Sequence, residues 1–407
     1  MRMPIVPSVL LACGLAATAG AADEVVQIKD LAVKPMGNLG SADGAMTLHA
    51  KALLGGGWDS NVYASETDEK SDTLGRAAAG FELGYRLGEG LDLALDVLGE
   101  GVAYSEESER NLMGGKATAG VTLAREDYQG ALNLDYERYD DPLVQTGERI
   151  QRSTWGGDAA WTLLGAASAV SLTLDAHRTD YHEDIGGFVA EDRNVTTIRG
   201  GVRYLRQLSD RGEWWVRAIG GTDTYDSNER LQDATVLGGA VGARFSLGER
   251  ATVMVEGGAE ARSYSREFDT GYGDKDEVTP ILGATVSWPF DERGSEASLR
   301  VYSQGDNSLS SNAMQVTGIS LAARYIATEQ IALTAGLDGV NIADTAAAPG
   351  QDEEVRDTGI VRAGVEYAAM DGVVVRLSGR QTVSEAERAT SNDYQRSEVA
   401  LEVGIAY

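Results

Sequence analysis

The sequence predicts an all-β chain: a transmembrane antiparallel up-and-down β-barrel of about eighteen strands, sixteen being the alternative, with short turns at one end and longer loops at the other. Three observations predict it. From Ala45 onward, apolar and polar residues alternate in segments of about ten to fifteen residues, longer than most soluble strands and suited to a tilted membrane crossing. Aromatic residues recur about every 40 residues on the apolar parity of these segments. The chain ends on Val399, Leu401, Val403, Ile405 and Tyr407, a period-two face that runs to the terminal residue.

The N-terminus reads as a secretory leader. Arg2 is basic, 5–17 is an apolar run, and Ala19-Gly20-Ala21 offers a small-residue cleavage site. The expected domains are therefore a signal peptide over 1–21, a short periplasmic segment over 22–44 and an outer-membrane barrel over 45–407. Cys13 would be a lipidation site if Leu10-Leu11-Ala12-Cys13 were a lipoprotein box; Pro4 and Pro7 interrupt the apolar stretch before it. Under the ordinary cut the mature chain has no cysteine, since the whole sequence holds one. After the leader, no run approaches the ~18 apolar residues of a membrane helix. A net charge of -28 across 407 residues, with no basic stripe, argues against nucleic acid as a partner.

Hairpins follow in order. The first strand is expected around Thr47 to Trp58. Phe81 to Leu87 turns at Gly88-Glu89-Gly90 into Leu91 to Val97, and Ala117 to Leu123 turns at Arg125 into Tyr128 to Tyr136. Trp155 to Leu163 turns at Gly165 into Val170 to Arg178, and Ile198 to Tyr204 turns at Ser209 to Gly212 into Trp214 to Gly220. Leu237 to Leu247 turns at Gly248 into Ala251 to Ala261, and Leu282 to Trp288 turns at Phe290 into Ala297 to Val301. Ile319 to Tyr325 turns at Thr328 into Ile331 to Leu337, and Val361 to Tyr367 turns at Asp371-Gly372 into Val373 to Val383. The intervening connections are longer and acidic, as the external loops of bacterial barrels are. They are Asp59 to Asp72, Ser105 to Asn111, Asp140 to Arg149, Glu183 to Asn194, Asp226 to Asp233, Glu267 to Glu277, Gly305 to Asn312, Asp344 to Asp357 and Glu385 to Asp393.

The aromatic set expected at one membrane interface is Tyr85, Trp161, Tyr204, Trp214, Phe245, Trp288, Tyr325, Tyr367 and Tyr407, with Tyr128 beside them. Amphipathic rings settle at headgroup depth, so a girdle at one end of the strands follows. A propeller also repeats at about 40 residues, but its blades need four short strands where these repeats hold two long ones.

Opposite parity gives the inward face. Glu82, Asp92, Asp96, Asp135 and Asp175 make one wall mostly acidic; Arg199, Arg203, Arg217, Arg262, Arg300, Arg324, Arg362, Arg376, Arg380 and Arg396 make the other Arg-rich. These are the expected pore-lining residues. Either the two walls set a transverse field across water, or neighbouring strands pair the charges to fill the wall; both can hold together. A barrel of this size leaves an aqueous channel unless it is plugged. The segment 23–44 is too short for a folded plug; narrowing by inward side chains or by Asp59 to Asp72 folding in is left open.

The terminal strand resembles the closing strand of bacterial outer-membrane β-barrels, which implies recognition by the barrel-assembly machinery. The stretch from Leu54 to Tyr63, with Trp58, Asp59 and Asn61, resembles an early segment of a putative β-barrel porin family associated with exopolysaccharide loci. That resemblance implies an outer-membrane channel that passes or supports secretion of a polysaccharide. The expectation is thus a porin-like channel in the outer membrane of a Gram-negative bacterium. Its expected partners are outer-membrane lipid, lipopolysaccharide, and a polysaccharide or small polar solute; the alternative is a non-conducting structural or surface-interaction barrel acting through its loops.

No catalytic residue, cofactor or metal is expected. Ser171, Asp175 and His177 share one strand and point side by side, whereas nucleophilic catalysis needs groups converging from several elements. Glu69, Glu277 and the acidic run Asp352 to Glu354 belong to loop clusters that read as solvated carboxylates or as weak sites for divalent cations.

Overall fold

A computed structural model of the protein describes residues 39–40, 45–64, 69–142, 149–182, 190–227, 233–248, 250–265, 276–306, 314–344, 355–387 and 393–407. The expected leader, Cys13, most of 22–44 and much of the acidic loop clusters lie outside these residues.

Eighteen strands form one sheet. The first six are β1 (Met46–Asp59), β2 (Asp72–Gly88), β3 (Leu91–Tyr104), β4 (Leu112–Ala124), β5 (Tyr128–Pro142) and β6 (Arg149–Leu164). Next come β7 (Ser168–Tyr181), β8 (Val195–Ser209), β9 (Gly212–Tyr225), β10 (Ala234–Leu247), β11 (Ala251–Tyr264) and β12 (Glu277–Pro289). The last are β13 (Glu296–Asp306), β14 (Met314–Ile326), β15 (Ile331–Asp344), β16 (Val355–Met370), β17 (Val373–Ala386) and β18 (Tyr394–Ala406). Each pairs antiparallel with its chain neighbours, and β1 closes on β18 in the register Lys51↔Ala406 to Asp59↔Glu398. The result is a closed cylinder with no free edge, the arrangement that lets strands exist in lipid. A 14-residue strand such as β1 is about 46 Å long at ~3.3 Å per residue. At a tilt near 45° it spans the ~30 Å hydrocarbon layer.

The turns at one end are short for a local reason. Among the described residues all four glycines with positive φ, Gly90, Gly248, Gly294 and Gly372, sit in them, supplying the left-handed residue that tight hairpins need. The longest of these turns, at 290–295, is closed by Asp291, whose Oδ1 accepts from the Arg293 N–H at 2.9 Å and the Ser295 N–H at 2.8 Å. Long connections join the strands at the other end, with two 3₁₀ turns, Ser108–Arg110 and Ala190–Arg193, among their described residues.

Strand parity makes the wall two-faced. On the outer face Leu54, Leu134, Leu174, Leu237, Leu282, Leu337, Leu377 and Leu401 are all exposed. Buried groups lie on the inner face instead, for example the apolar cluster of Met314, Val316, Val340 and Ile342 with Tyr302 against it. Exposed leucines outside and buried arginines inside invert the soluble pattern, and lipid is the solvent in which that inversion is stable.

Candidate functional site: the inner wall

Register places all fifteen expected pore-lining residues on inward-facing rows. Their accessibility divides them. Asp96, Arg300 and Arg362 are exposed to the interior, whereas Arg262, Arg376 and Arg396 are only 3%, 6% and 5% exposed and belong to the packed wall rather than its open surface.

The burial of Arg376 and Arg396 has a specific cause. Arg396 donates to Asp59 through Nε at 3.1 Å and Nη2 at 2.8 Å, and its Nη2 also reaches Glu398 at 3.1 Å. Arg76 bridges Glu398 at 3.4 Å and Glu402 at 3.6 Å. Glu402 in turn accepts from Arg376 Nε at 3.0 Å and Nη2 at 2.7 Å. Six alternating charges therefore form one ladder, Asp59–Arg396–Glu398–Arg76–Glu402–Arg376, on the strands β1, β2, β17 and β18. It straddles the seam where the first strand meets the last. Asp59 accepts further bonds from the Asn61 N–H at 3.0 Å and the Tyr104 hydroxyl at 3.2 Å. Asp59 and Asn61, the carboxylate and amide of the early motif, are thus both buried structural groups; Asn61 Nδ2 donates to the Gln395 carbonyl at 3.0 Å.

The start of the first connection turns inward from this ladder. Val62, 1% exposed, packs on Leu74, Val102 and Tyr104, all on inward rows of β2 and β3. Tyr63 follows with the single proton of its hydroxyl shared between Glu107 at 2.5 Å and Glu109, while Lys70 and Arg110 lie over its ring. The two acceptor carboxylates hold the phenolic proton in place and raise its pKa above the usual phenol value. Of the described connections, 59–64 is thereby fixed to the inner wall.

Elsewhere the wall uses small residues as bridges. His177 on β7 reaches Asp135 on β5 at 3.0 Å while its other ring nitrogen meets Asp175 at 3.0 Å. The strand between them, β6, presents Gly156 in register with both Asp135 and His177, and a Cβ there would stand 2.6 Å from the imidazole. The same construction recurs at β10, whose Gly242 is in register with Trp215 and with Glu256. Arg217 joins Glu256 bidentately at 3.0 and 2.6 Å, and the Arg203 guanidinium lies 4.4 Å from the Trp215 ring centre. At the closure seam Gly55 separates Arg76 from Glu402 in register. Gly242 and Gly156 are needed because a side chain from one strand must pass over a second to meet a third.

A further buried group joins β8, β9 and β11. Arg199 grips Asp223 at 2.8 and 2.7 Å, Arg262 lies 3.6 Å from the same carboxylate, and Arg262 Nε bonds Glu260 at 3.0 Å. Pairing of this completeness is what lets arginines be buried at all.

Two features of the inner wall escape period-two reading. Trp215 is inward and buried beside outward Trp214, so one of two adjacent tryptophans belongs to each face. Tyr104, Tyr181, Tyr225 and Tyr264 are each the final residue of β3, β7, β9 and β11, at the long-connection end and on the inward parity. Each is followed by Ser, His, Asp or Ser. That Tyr-then-polar step at alternate strand ends was the available signal.

The nine expected girdle residues all lie on outward rows near the short turns. Tyr204 and Trp214 meet edge-on at 5.8 Å, Trp161 stacks on Tyr128 at 5.0 Å, and Phe290 links Trp288 at 6.1 Å to Tyr325 at 6.3 Å. At the opposite end of the outer face, Arg178 pairs with Asp180 at 2.8 Å and with Asp226 at 2.6 Å. That guanidinium lowers the pKa of Asp226.

The Ser171 hydroxyl meets Thr162 at 2.9 Å, and His177 is held by its two aspartates, so these residues do not form a nucleophile–base pair. Among the described residues no group of three or more histidine or acidic side chains could hold a metal ion.

Neither a protein-family model nor a curated protein matches the sequence. Among solved structures the chain is similar to OccK2 (OpdF) of Pseudomonas aeruginosa, with 8% identity, 88% of this chain and 97% of that one covered, and a TM-score of 0.52. The same protein in complex with glucuronate gives 8% identity, 88% and 97% coverage and 0.51. OccK9 (OpdG) of the same organism gives 11% identity, 88% and 98% coverage and 0.50. The likeness shows the fold, a closed eighteen-stranded antiparallel barrel of the outer-membrane porin type.

Proposed function

We propose that the protein is an outer-membrane channel for polar solutes. The observation that carries this reading is the division of one closed wall into an apolar outer face and an inner face that holds nearly every described ion pair. A wall so divided is stable only between lipid and water. On this reading the nine girdle aromatics sit at the periplasmic interface, the long acidic loops meet lipopolysaccharide, and the strand ending at Tyr407 is read by the assembly machinery after the leader is removed. The solved complex of OccK2 with glucuronate supports a solute channel, since a barrel of the same fold holds a small polar sugar acid.

Polysaccharide export is a narrower reading that rests on the segment around Trp58. Asp59 and Asn61 in that segment are engaged in closing the barrel, so the motif supports the architecture as well as it supports glycan passage. The surface-interaction alternative requires an inner wall sealed by its own charge pairs. Planar-bilayer recording of the purified full-length barrel decides between these: stepwise conductance is expected, and a correctly folded but silent barrel would overturn the channel reading. Competition of the current by neutral oligosaccharides then tests export.

A further inference from the structure

Arginines on the inner wall are nearly all committed. Arg76, Arg199, Arg217, Arg324, Arg362, Arg376 and Arg396 each bond a carboxylate. Arg300 differs. Its side chain is exposed to the interior, among the described residues it forms no ion pair, and its guanidinium lies 4.7 Å from the centre of the Tyr302 ring. Tyr302 in turn lies across Gly318, where a Cβ would run into the ring, so the aromatic platform is pinned between the guanidinium and the wall.

The neighbours leave Arg300 open. In register it is flanked by Thr285 on β12 and Ser320 on β14. The carboxylate one strand further, Asp338, accepts from Ser320 at 2.6 Å and from Arg362, so its charge is already answered. A guanidinium stacked by one face on an aromatic keeps its N–H edges free in a fixed plane, the geometry that matches the two oxygens of a carboxylate or phosphate. Lateral hydroxyls such as that of Thr285 add a neutral donor without adding charge.

We propose that Arg300, braced by Tyr302, is a weak binding site for the oxyanion group of a solute inside the barrel, either carboxylate or phosphate. The proposal rests on the channel reading for its purpose but not for its measurement. Weak binding suits a pore, because a contact that held its solute tightly would block passage.

The test uses the folded full-length barrel in detergent, titrated calorimetrically with glucuronate, with inorganic phosphate and with glucose. Glucuronate, phosphate or both are expected to bind where glucose does not, and Arg300→Gln to weaken that binding by about tenfold or more, the scale of one charged contact. Tyr302→Leu should weaken it by a smaller factor, and Arg206→Gln, which removes a charge from the outer face, should leave it unchanged. Binding of glucuronate alone assigns a carboxylate site; binding of both assigns a general oxyanion site. Absence of anion binding to the wild type, equal binding to the Arg300→Gln protein, or equal binding of glucose overturns the proposal. Bilayer recording separates the two readings. A silent barrel whose anion binding vanishes in Arg300→Gln refutes conduction and keeps the site. A conducting barrel with unchanged binding and unchanged anion selectivity in that variant keeps conduction and refutes the site.

Discussion

Trp215 donates its indole N–H to Glu256 at 2.8 Å across a strand that neither residue belongs to. Gly242 of β10 lies between them in register, and the space a Cβ would take is filled by the indole. The inner wall is therefore more than a sheet with polar decoration, since its side chains are cross-braced over three strands at a time. Replacement of Gly242 by alanine should displace Trp215 and cost about 1–3 kcal/mol, the usual penalty of overpacking. The midpoint of the heat-induced shift in gel mobility reads the stability. Near-ultraviolet dichroism reads the tryptophan, and an unchanged spectrum in Gly242→Ala would contradict the bracing.

The ladder at the closure seam makes a stronger demand. Asp59 and Glu402 are 0% and 1% exposed, and each answers an arginine that has no room to reach water. Removal of one partner from a buried pair leaves a stranded charge, at a cost of about 3–5 kcal/mol. Asp59→Ala, which leaves the ladder one positive charge in excess, should therefore lower the urea midpoint far more than Asp59→Ala combined with Arg396→Met, in which the charges balance and Glu398 keeps Arg76. If the double variant is no more stable than the single one, the ladder is not acting as a charge pair.

The architecture was legible for physical reasons that also set the limit of legibility. Alternation such as Phe81, Leu83 and Tyr85 against Glu82 and Arg86 is local, and an outward face in lipid must be apolar across the hydrocarbon band, so the strand number and the two faces of the wall followed from parity. Which inward charges meet which was not local. Arg396 reaches Asp59 across 337 positions of chain, and Arg76 reaches Glu402 only because β1 returns to β18. Parity also treats all inward arginines alike. Arg376 and Arg300 carry the same pattern in the sequence, yet one is buried under a carboxylate and the other is open, a difference decided by neighbours on adjacent strands. The inward turn of 59–64 was left open by the sequence and not fixed by it, for the same reason: Val62 is an ordinary loop valine until Leu74, Val102 and Tyr104 are placed beneath it.

Acidity should loosen the turn at 290–295. Asp291 accepts from the Ser295 hydroxyl and from the Ser295 and Arg293 N–H groups in its turn, and these donors depress its pKa below the ordinary carboxylate range. A group whose folded pKa is lowered adds stability that is complete above the unfolded value, near 3.9, and fades as pH falls through the folded one. The difference in urea midpoint between wild type and Asp291→Ala should hence be constant from neutral pH down to about that unfolded value, and shrink below it. Persistence of the full difference at the lowest pH would show that Asp291 acts by shape rather than charge.

The outer face gives the sharpest test of lipid as the surrounding medium. Leu337 and Leu401 are 49% and 55% exposed in mid-strand, while Trp288 lies at the short-turn end of β12. In water, Leu337→Arg would be a mild surface change, within about 0.5 kcal/mol. At the centre of a bilayer it costs about 2–4 kcal/mol, and the cost falls towards zero at the interface. Arginine scanned along β15 at Leu337, Ala335, Leu333 and Ile331, all on the outward row, should therefore show a penalty largest at one depth and smaller towards the turn at 327–330. Folding free energies measured in phospholipid vesicles supply the profile. A flat profile would mean that the apolar band faces something other than a hydrocarbon layer, and the aromatic rows at Trp288, Tyr325 and Tyr367 would then need a different explanation from headgroup anchoring.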